Sequence, residues 1–266
     1  MNPMWKEIRL WLDKHAAATV SDAESVYRFS ALAELAEQHA ARLKSVVRPG
    51  MKCAILCEKG IHTAVALLSC WSLELVPVPL CPHYGEQHSQ NILDLIEPEI
   101  LITDFACACT AAIKYHMNNS AMEYAPTVRK AEDDLQAVAL ILCTSGTTGK
   151  PKGVMLTADG LLYNVRAIGR YFPVGEEDTV LIARPLFHSA VLTGELLLAL
   201  YTGAHIVFHD RKFSPMGVIA CADSHKATVL CGTPTLLGQI ALYAGRYKKQ
   251  LALRTIALSG EGLSAH

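Results

Sequence analysis

The chain has 266 residues and a mass of 28.9 kDa, which is enough to bury one large hydrophobic core or two smaller ones. Hydrophobic residues make up 51% of it and charged residues 18%, a composition that excludes an intrinsically disordered chain. Its 24 Lys and Arg residues nearly balance its 25 Asp and Glu residues, so no global charge attracts nucleic acid or an anionic membrane.

The N-terminal segment predicts an amphipathic helix and lacks the pattern of a signal peptide. In MNPMWKEIRLWLDK, charged residues interrupt the apolar positions Trp5, Leu10 and Trp11. No segment reaches the roughly 18 apolar residues that span a bilayer. The nine cysteines are an odd number without CxxC spacing, which favours reduced thiols in the core over a zinc or redox site. We therefore expect a cytoplasmic protein without a membrane span.

Residues 31–103 predict alternating helices and strands. Leu32, Leu35 and Leu43 recur at helical spacing in the first of these helices, and Ser30 is a suitable N-cap for it. The apolar run KCAILC at 52–57 is typical of a buried parallel strand covered by helices on both faces. The predicted helices are 31–46, 64–73 and 87–96, and the predicted strands are 52–57, 75–80 and 99–103. This alternation predicts α/β layers with right-handed crossovers.

A polar stretch at 114–134, which contains Pro126, predicts an irregular connector and a boundary between two similar α/β lobes. A second alternating series follows it. Its predicted strands lie near 137–143, 154–157, 179–183, 205–209, 228–231 and 255–258, and its predicted helices near 158–171, 192–200, 216–224 and 235–243. We therefore predict a first lobe at 1–130 and a second lobe at 131–266, which carries the phosphate-binding motif described next.

The segment CTSGTTGKPKG at 143–153 has the composition of a phosphate-binding loop. Its glycines let backbone N–H groups approach phosphate oxygens, its hydroxyls donate hydrogen bonds, and its lysines supply positive charge. Pro151 stiffens the exit from the loop. The candidate nucleotide-binding residues are Thr144, Ser145, Gly146, Thr147, Thr148, Gly149, Lys150 and Lys152.

Other phosphate motifs and a plain surface loop fit this segment less well. A Walker A loop needs GxxxxGK[ST], but Gly146 and Gly149 are too close together and Pro151 stands where Ser or Thr would hold magnesium. The dinucleotide fingerprint GxGxxG is absent from the segment. A solvated loop rich in Ser, Thr and Gly has the same composition, but a predicted strand on each side favours an ordered phosphate loop.

The segment ILCTSGTTGKPKGV at 141–154 resembles, residue for residue, the nucleotide-binding signature of the adenylate-forming superfamily. This superfamily includes acyl-CoA synthetases, aryl-CoA ligases, luciferases and the adenylation domains of peptide synthetases. The resemblance implies the α/β N-terminal domain of these enzymes, with ATP and Mg²⁺ as cofactors and Thr144 as a magnesium ligand. It also implies a reaction in which a carboxylic acid is joined to AMP, pyrophosphate is released, and the acyl group passes to CoA or to a carrier protein.

The segment RPLFHSAVLTG at 184–194 resembles the acyl-pocket motif of the same superfamily. By that resemblance Phe187, His188 and Ser189 lie beside the substrate, and His188 is the candidate catalytic residue that gates entry of the acyl group. Peptide-synthetase domains that take α-amino acids usually carry Asp after the Phe, so His188 favours a fatty, other aliphatic or aryl acid. The resemblance also implies substrate-binding roles for Thr233, Pro234, Ser259, Gly260 and Glu261.

A member of the superfamily continues beyond LSGEGLSAH to a YGxTE segment, a ribose-binding Asp and a small C-terminal domain with a catalytic Lys. The 266 residues contain none of these segments. We therefore expect the N-terminal portion of a ligase that is inactive on its own. Three possibilities stay open: a piece of a longer ligase, half of a split enzyme completed by a second polypeptide or a homo-oligomer, and a non-catalytic nucleotide- or acyl-binding subunit.

Overall fold

The structure, a computed structural model, describes residues 2–109, 111–124, 135, 137–144, 151–210 and 214–262. The chain divides into two compact units. Unit 1 comprises Met1–Leu10 and Ser30–Asn164, and unit 2 comprises Trp11–Phe29 and Val165–His266. In chain order the elements are α1 (Pro3–Lys14), β1 (Thr19–Ser21), β2 (Val26–Arg28), α2 (Phe29–Leu43), β3 (Lys52–Leu56), α3 (Gly60–Ser72), β4 (Val76–Pro79), α4 (Glu86–Ile96), β5 (Ile100–Thr103), β6 (Ile113–His116), β7 (Met122–Tyr124), β8 (Val138–Thr144), β9 (Lys152–Thr157), α5 (Ala158–Tyr171), β10 (Thr179–Ile182), α6 (Ser189–Val191), a π-helix (Leu192–Leu197), α7 (Leu198–Thr202), β11 (His205–Phe208), α8 (Pro215–Ser224), β12 (Val229–Gly232), α9 (Pro234–Arg246) and β13 (Thr255–Leu258).

Unit 1 is built on a sheet with the strand order β4-β3-β5-β6-β7, in which only β7 runs antiparallel to its neighbour. Every residue of β4 and β5 is buried, as expected for parallel strands covered on both faces. The antiparallel pair β8 and β9 belongs to the same unit, and β8 contacts β4. The buried Trp71 of α3 donates a 2.7 Å hydrogen bond from Nε1 to the carbonyl oxygen of Ala139 in β8. The β8–β9 pair is therefore attached to the core of unit 1.

Unit 2 is built on a sheet with the strand order β13-β12-β10-β11-β1-β2. All its neighbours are parallel except β2, which pairs antiparallel with β1. Val20 lies opposite Ile206, so a strand from the start of the chain extends the sheet formed by its second half. Helices α8 and α9 contribute Val218, Ile219 and Ile240 to a hydrophobic cluster beside the sheet.

The predicted α/β architecture with parallel sheets is confirmed. The helix predicted at 158–171 coincides with α5, and the strand predicted at 255–258 coincides with β13. The connector predicted at 114–134 is wrong over its first part, because β6 and β7 form a hairpin there. Ser30 is not an N-cap, because α2 already begins at Phe29. Strands β1 and β2 were not predicted from the polar residues around them.

The two units divide the chain differently from the predicted lobes 1–130 and 131–266. Unit 1 extends to Asn164 because β8 contacts β4, so the strands that flank the phosphate-loop segment belong to unit 1 and not to the second lobe. Unit 2 takes in Trp11–Phe29 because β1 pairs with β11. Both differences arise from tertiary pairing between segments that are distant in sequence.

Across the described ranges, no helix is both long and apolar enough to cross a bilayer. Every cysteine is buried or half-buried, which agrees with the predicted position of the thiols in the core. Burial raises the pKa of the Cys57 thiol well above its ordinary value and that of Cys143 to about 11, so these side chains stay protonated near neutral pH.

Candidate active site

The β8–β9 hairpin positions the two ends of the phosphate-loop segment. In the antiparallel register Thr144 lies opposite Lys152, and Cys143 lies opposite Gly153. Both Thr144 and Lys152 are exposed at the end of the hairpin, where their hydroxyl and ammonium groups can meet a ligand from solvent. Ser145, Gly146, Thr147, Thr148, Gly149 and Lys150 lie outside the described residues.

Gly153 allows β9 to lie close against β8. A Cβ atom at this position would come within 3.2 Å of Cγ2 of Ile141, which is tighter than ordinary van der Waals contact. Ile141 is itself buried in the core of unit 1. The last glycine of the motif therefore holds the hairpin together, which is a structural role beside any contact with phosphate.

In unit 2, Phe187 and His188 follow β10 and precede α6. Their rings are 4.0 Å apart between centroids and tilted by 38°. His188 keeps an exposed surface, yet partial desolvation lowers its pKa and the positive charge of Arg184 lowers it further. The imidazole is therefore largely neutral near pH 7. Ser189 begins α6 and is exposed.

A buried ion pair lies beside this segment. Nη2 of Arg184 is 2.8 Å from Oε1 of Glu195 and 3.2 Å from Oγ of Ser259. Glu195 belongs to the π-helix, an irregularity that is often found at functional sites. Burial raises the pKa of the Glu195 carboxyl to about 7, although its Arg184 partner acts in the opposite direction.

The carboxyl ends of β12 and β13 bring together the remaining predicted residues. Thr233 caps α9 by accepting a 3.2 Å hydrogen bond from the backbone N–H of Leu236, and Pro234 is the first residue of that helix. Glu261 accepts a 2.7 Å hydrogen bond from the hydroxyl of Thr235. Gly260 has φ of +92°, a conformation that favours glycine, and it turns the chain after β13 so that Glu261 can reach α9.

The parallel strands of unit 2 therefore end in a cluster of polar side chains. Ligand sites of open α/β sheets occur at the carboxyl ends of their strands. Within the part of the chain that the structure describes, no group of three or more His, Cys, Asp or Glu side chains could hold a metal ion. His205, for which the sequence favoured a structural role, accepts a 3.1 Å hydrogen bond at Nδ1 from the backbone N–H of Thr19.

Comparison with known proteins identifies the family. The family model described as AMP-binding enzyme matches residues 9–266. The chain belongs to the family of AMP-binding enzymes. Its membership confirms the resemblance that the 141–154 segment carries.

This AMP-binding enzyme is 27% identical to a feruloyl-CoA synthase from an Amycolatopsis species over 98% of the chain and 54% of that protein. It is 29% identical to the hybrid PKS-NRPS synthetase LUC5 of a Fusarium species over 94% of the chain and 7% of that protein. The chain therefore spans only about half the length of the feruloyl-CoA synthase.

Among solved structures, o-succinylbenzoate CoA synthetase from Bacillus subtilis, in complex with its acyl-adenylate intermediate, matches with a TM-score of 0.78 and 25% identity. The match covers 94% of the chain and 53% of that protein. A structure of the same enzyme with ATP and a magnesium ion matches with a TM-score of 0.76 at 24% identity, covering 94% of the chain and 54% of that protein. The fold of this AMP-binding enzyme is thus that of the N-terminal part of adenylate-forming enzymes.

The structure brings the predicted site residues of the AMP-binding enzyme together in two groups, each within its own unit. Thr144 and Lys152 meet at the hairpin of unit 1. The second group, in unit 2, contains Phe187, His188, Ser189, Thr233, Pro234, Ser259, Gly260 and Glu261.

Sequence reasoning missed the Arg184–Glu195 pair. The signal that could have revealed it is a charged residue on either side of the apolar PLFH segment, with Glu195 placed in the otherwise apolar run VLTGELLLAL. Such a buried carboxylate requires a partner, and Arg184 is the nearest cation in sequence.

Proposed function

We propose that this AMP-binding enzyme activates a carboxylic acid with ATP, forming an acyl-adenylate and pyrophosphate. The acyl group then passes to a thiol of CoA or of a carrier-protein phosphopantetheine. The observation that carries this proposal is the hairpin in which Thr144 and Lys152 face each other at the two ends of the TSGTTGKPK segment. A hydroxyl and an ammonium group at these positions can hold the leaving pyrophosphate.

Magnesium fits this site as an ion bound mainly by the nucleotide. Mg²⁺ keeps several waters and takes few protein ligands when phosphates coordinate it. Thr144 offers one exposed hydroxyl oxygen for that purpose. When bound, the ion would neutralise charge on the phosphate oxygens. The described residues add the ammonium group of Lys152, which holds phosphate without needing a proton transfer.

We further propose that the acid is a fatty, other aliphatic or aryl acid and not an α-amino acid. His188 occupies the position after Phe187, and its lowered pKa leaves it largely uncharged near pH 7. A neutral imidazole cannot pair with the ammonium group of an amino acid as a carboxylate would. A panel of fatty, aryl and α-amino acids in ATP–pyrophosphate exchange, measured on the whole protein, tests this choice. Preference for an amino acid would contradict it.

Nucleotide binding tests the phosphate-loop assignment on the 266-residue chain itself. We expect Lys152→Ala to weaken ATP binding about tenfold, because charge-assisted hydrogen bonds contribute about 1.5–3 kcal/mol. Lys44→Ala is the matched control, since Lys44 is also an exposed lysine of unit 1 and lies in the chain after α2. Equal ATP affinity in both variants, measured by isothermal titration calorimetry, would refute the assignment.

We propose that the chain by itself supports little or no ATP–pyrophosphate exchange, because it spans about half of the feruloyl-CoA synthase to which it is similar. Exchange restored by a second polypeptide would favour a split enzyme. ATP or acid binding without exchange in any combination would favour a non-catalytic binding subunit. Strong exchange by the purified chain alone would contradict the proposal.

A further inference from the structure

The Arg184–Glu195 pair is buried but incompletely hydrogen-bonded. The Arg184 side chain is 11% exposed and that of Glu195 is 1% exposed. A single nitrogen of the guanidinium group, Nη2, contacts both Glu195 and Ser259. The pair is therefore not the bidentate arrangement in which two parallel hydrogen bonds join a guanidinium group to a carboxylate.

Two atoms of the pair are left over. Nε of Arg184 and Oε2 of Glu195 are buried, and within the described ranges neither has a hydrogen-bond partner. Buried polar atoms in native proteins are nearly always bonded, and an unsatisfied one costs about 1–3 kcal/mol. One atom is a donor and the other is an acceptor. The pair thus presents one N–H and one carboxylate oxygen to a third group.

The pair lies among residues of the proposed acyl site. Ser259 contacts Arg184 directly, and Arg184 is close enough to His188 for its charge to lower the pKa of that imidazole. Cys231 of β12 is near enough that the charge of Glu195 adds to the rise in its pKa that burial causes. A group that reaches the unpaired atoms would therefore come from a ligand held beside His188 and Ser259.

The chemistry of the two atoms selects the group. A second carboxylate would be attracted by Arg184 but repelled by Glu195, and an ammonium group would meet the reverse. A methyl group would leave both atoms unpaired. A hydroxyl group accepts from an N–H and donates to a carboxylate, so it satisfies both needs without adding a charge.

Resting on the proposed function, we infer that the Arg184–Glu195 pair is a specificity-determining element that selects acids carrying a neutral hydroxyl group. The acid is thereby narrowed to hydroxylated aryl or aliphatic acids. A site that hydrogen-bonds a substrate hydroxyl discriminates strongly against the analogue that lacks it, because its own polar groups are then left unpaired.

Matched acids test the inference. Isothermal titration of the 266-residue chain with ATP present would compare 3-phenylpropionic acid with its 4-hydroxy and 4-methoxy analogues, and hexanoic acid with 6-hydroxyhexanoic acid. We expect at least one hydroxylated acid to bind tenfold or more tightly than its unsubstituted partner. In Glu195→Gln, an amide that can donate replaces the acceptor, so this ratio should fall to threefold or less and the methoxy analogue should gain affinity.

Two further variants separate recognition from structure. Arg184→Lys keeps the positive charge but removes the Nε–H donor, so it should lose the hydroxyl preference while the unsubstituted acid still binds. Glu177→Gln is the matched control, since the Glu177 side chain is 76% exposed in the same unit. If a buried water satisfies the pair in place of a ligand, hydroxylated and unsubstituted acids will bind equally and the inference is overturned. A ratio that Glu195→Gln leaves unchanged overturns it as well.

Failure of the inference is distinct from failure of the proposed function. If the whole protein catalyses exchange equally well with alkyl and hydroxylated acids, the function stands and the inference falls. If acids bind with the expected ratio but neither ATP binding nor exchange is found, the pair recognises hydroxyl groups in a protein that does not activate acids.

Discussion

The pH dependence of unfolding should report the charge of Glu195. Burial raises the pKa of its carboxyl from the ordinary 4.5 to about 7 in the folded protein. A carboxyl with a raised folded pKa favours the folded state fully below pH 4.5, where it is protonated in both states. This contribution is lost as the pH rises towards 7, because the unfolded chain ionises first. Ionised Glu195 therefore costs the folded state roughly 3 kcal/mol, at about 1.4 kcal/mol for each tenfold change.

The variant Glu195→Gln isolates this contribution. Gln is neutral at every pH and can still accept a hydrogen bond from Arg184, so near pH 5 the variant resembles the protonated wild type. Between pH 5 and pH 8 we expect the free energy of unfolding of the variant, relative to wild type, to increase by roughly 2–3 kcal/mol. Urea denaturation followed by circular dichroism at the two pH values measures it.

The subtraction removes the titration of histidines, which is common to both proteins. Glu177→Gln, at a largely exposed carboxylate, should show a difference from wild type that changes by less than about 0.5 kcal/mol over the same range. A difference between wild type and Glu195→Gln that is the same at pH 5 and pH 8 would refute the argument, since it would mean that Glu195 ionises normally in the folded state.

Three further substitutions test the packing of the two units by urea denaturation. Gly203→Ala should destabilise by about 2 kcal/mol, because its φ is +79° and a Cβ would collide with the His15 ring, whereas Gly245→Ala, with open space around it, should be nearly neutral. Asp178→Ala should cost about 2 kcal/mol by leaving its arginine partner unpaired; the pKa of Asp178 is lowered by its hydrogen bonds to that arginine against the effect of burial, so its stabilising effect should fade below about pH 3.8. Trp71→Phe should cost about 2 kcal/mol by leaving a buried carbonyl of β8 unsatisfied, and a loss below 0.5 kcal/mol in any of the three destabilising variants would contradict its explanation.

Local patterns predicted those elements whose stability depends on their own residues. The amphipathic pattern of α5 and the apolar run of β4 both gave the right type of element at nearly the right position. Strand β6 was missed because Lys114 and His116 alternate with apolar residues within a longer polar stretch. Its identity depends on pairing with β5, which no local pattern contains.

The candidate site shows the same limit. The 141–154 segment identified the nucleotide loop because its residues are contiguous. The Arg184–Glu195–Ser259 contacts join residues that are 11 and 75 positions apart, so they depend on the order of the strands in the sheet. Glu195 also lies in an apolar run, which favours a plain core helix over the π-helix that is found.

The pairing of Val20 with Ile206 ties the beginning of the chain to a strand made much later. During synthesis at about 5–20 residues per second, β1 would wait roughly ten to forty seconds for β11 to leave the ribosome. Throughout that interval β1 and β2 form a two-stranded ribbon without the sheet that they extend, and such ribbons are marginally stable alone. Unit 1 lacks this delay, since its last strand precedes residue 165, so the two units are set to fold in succession and not together.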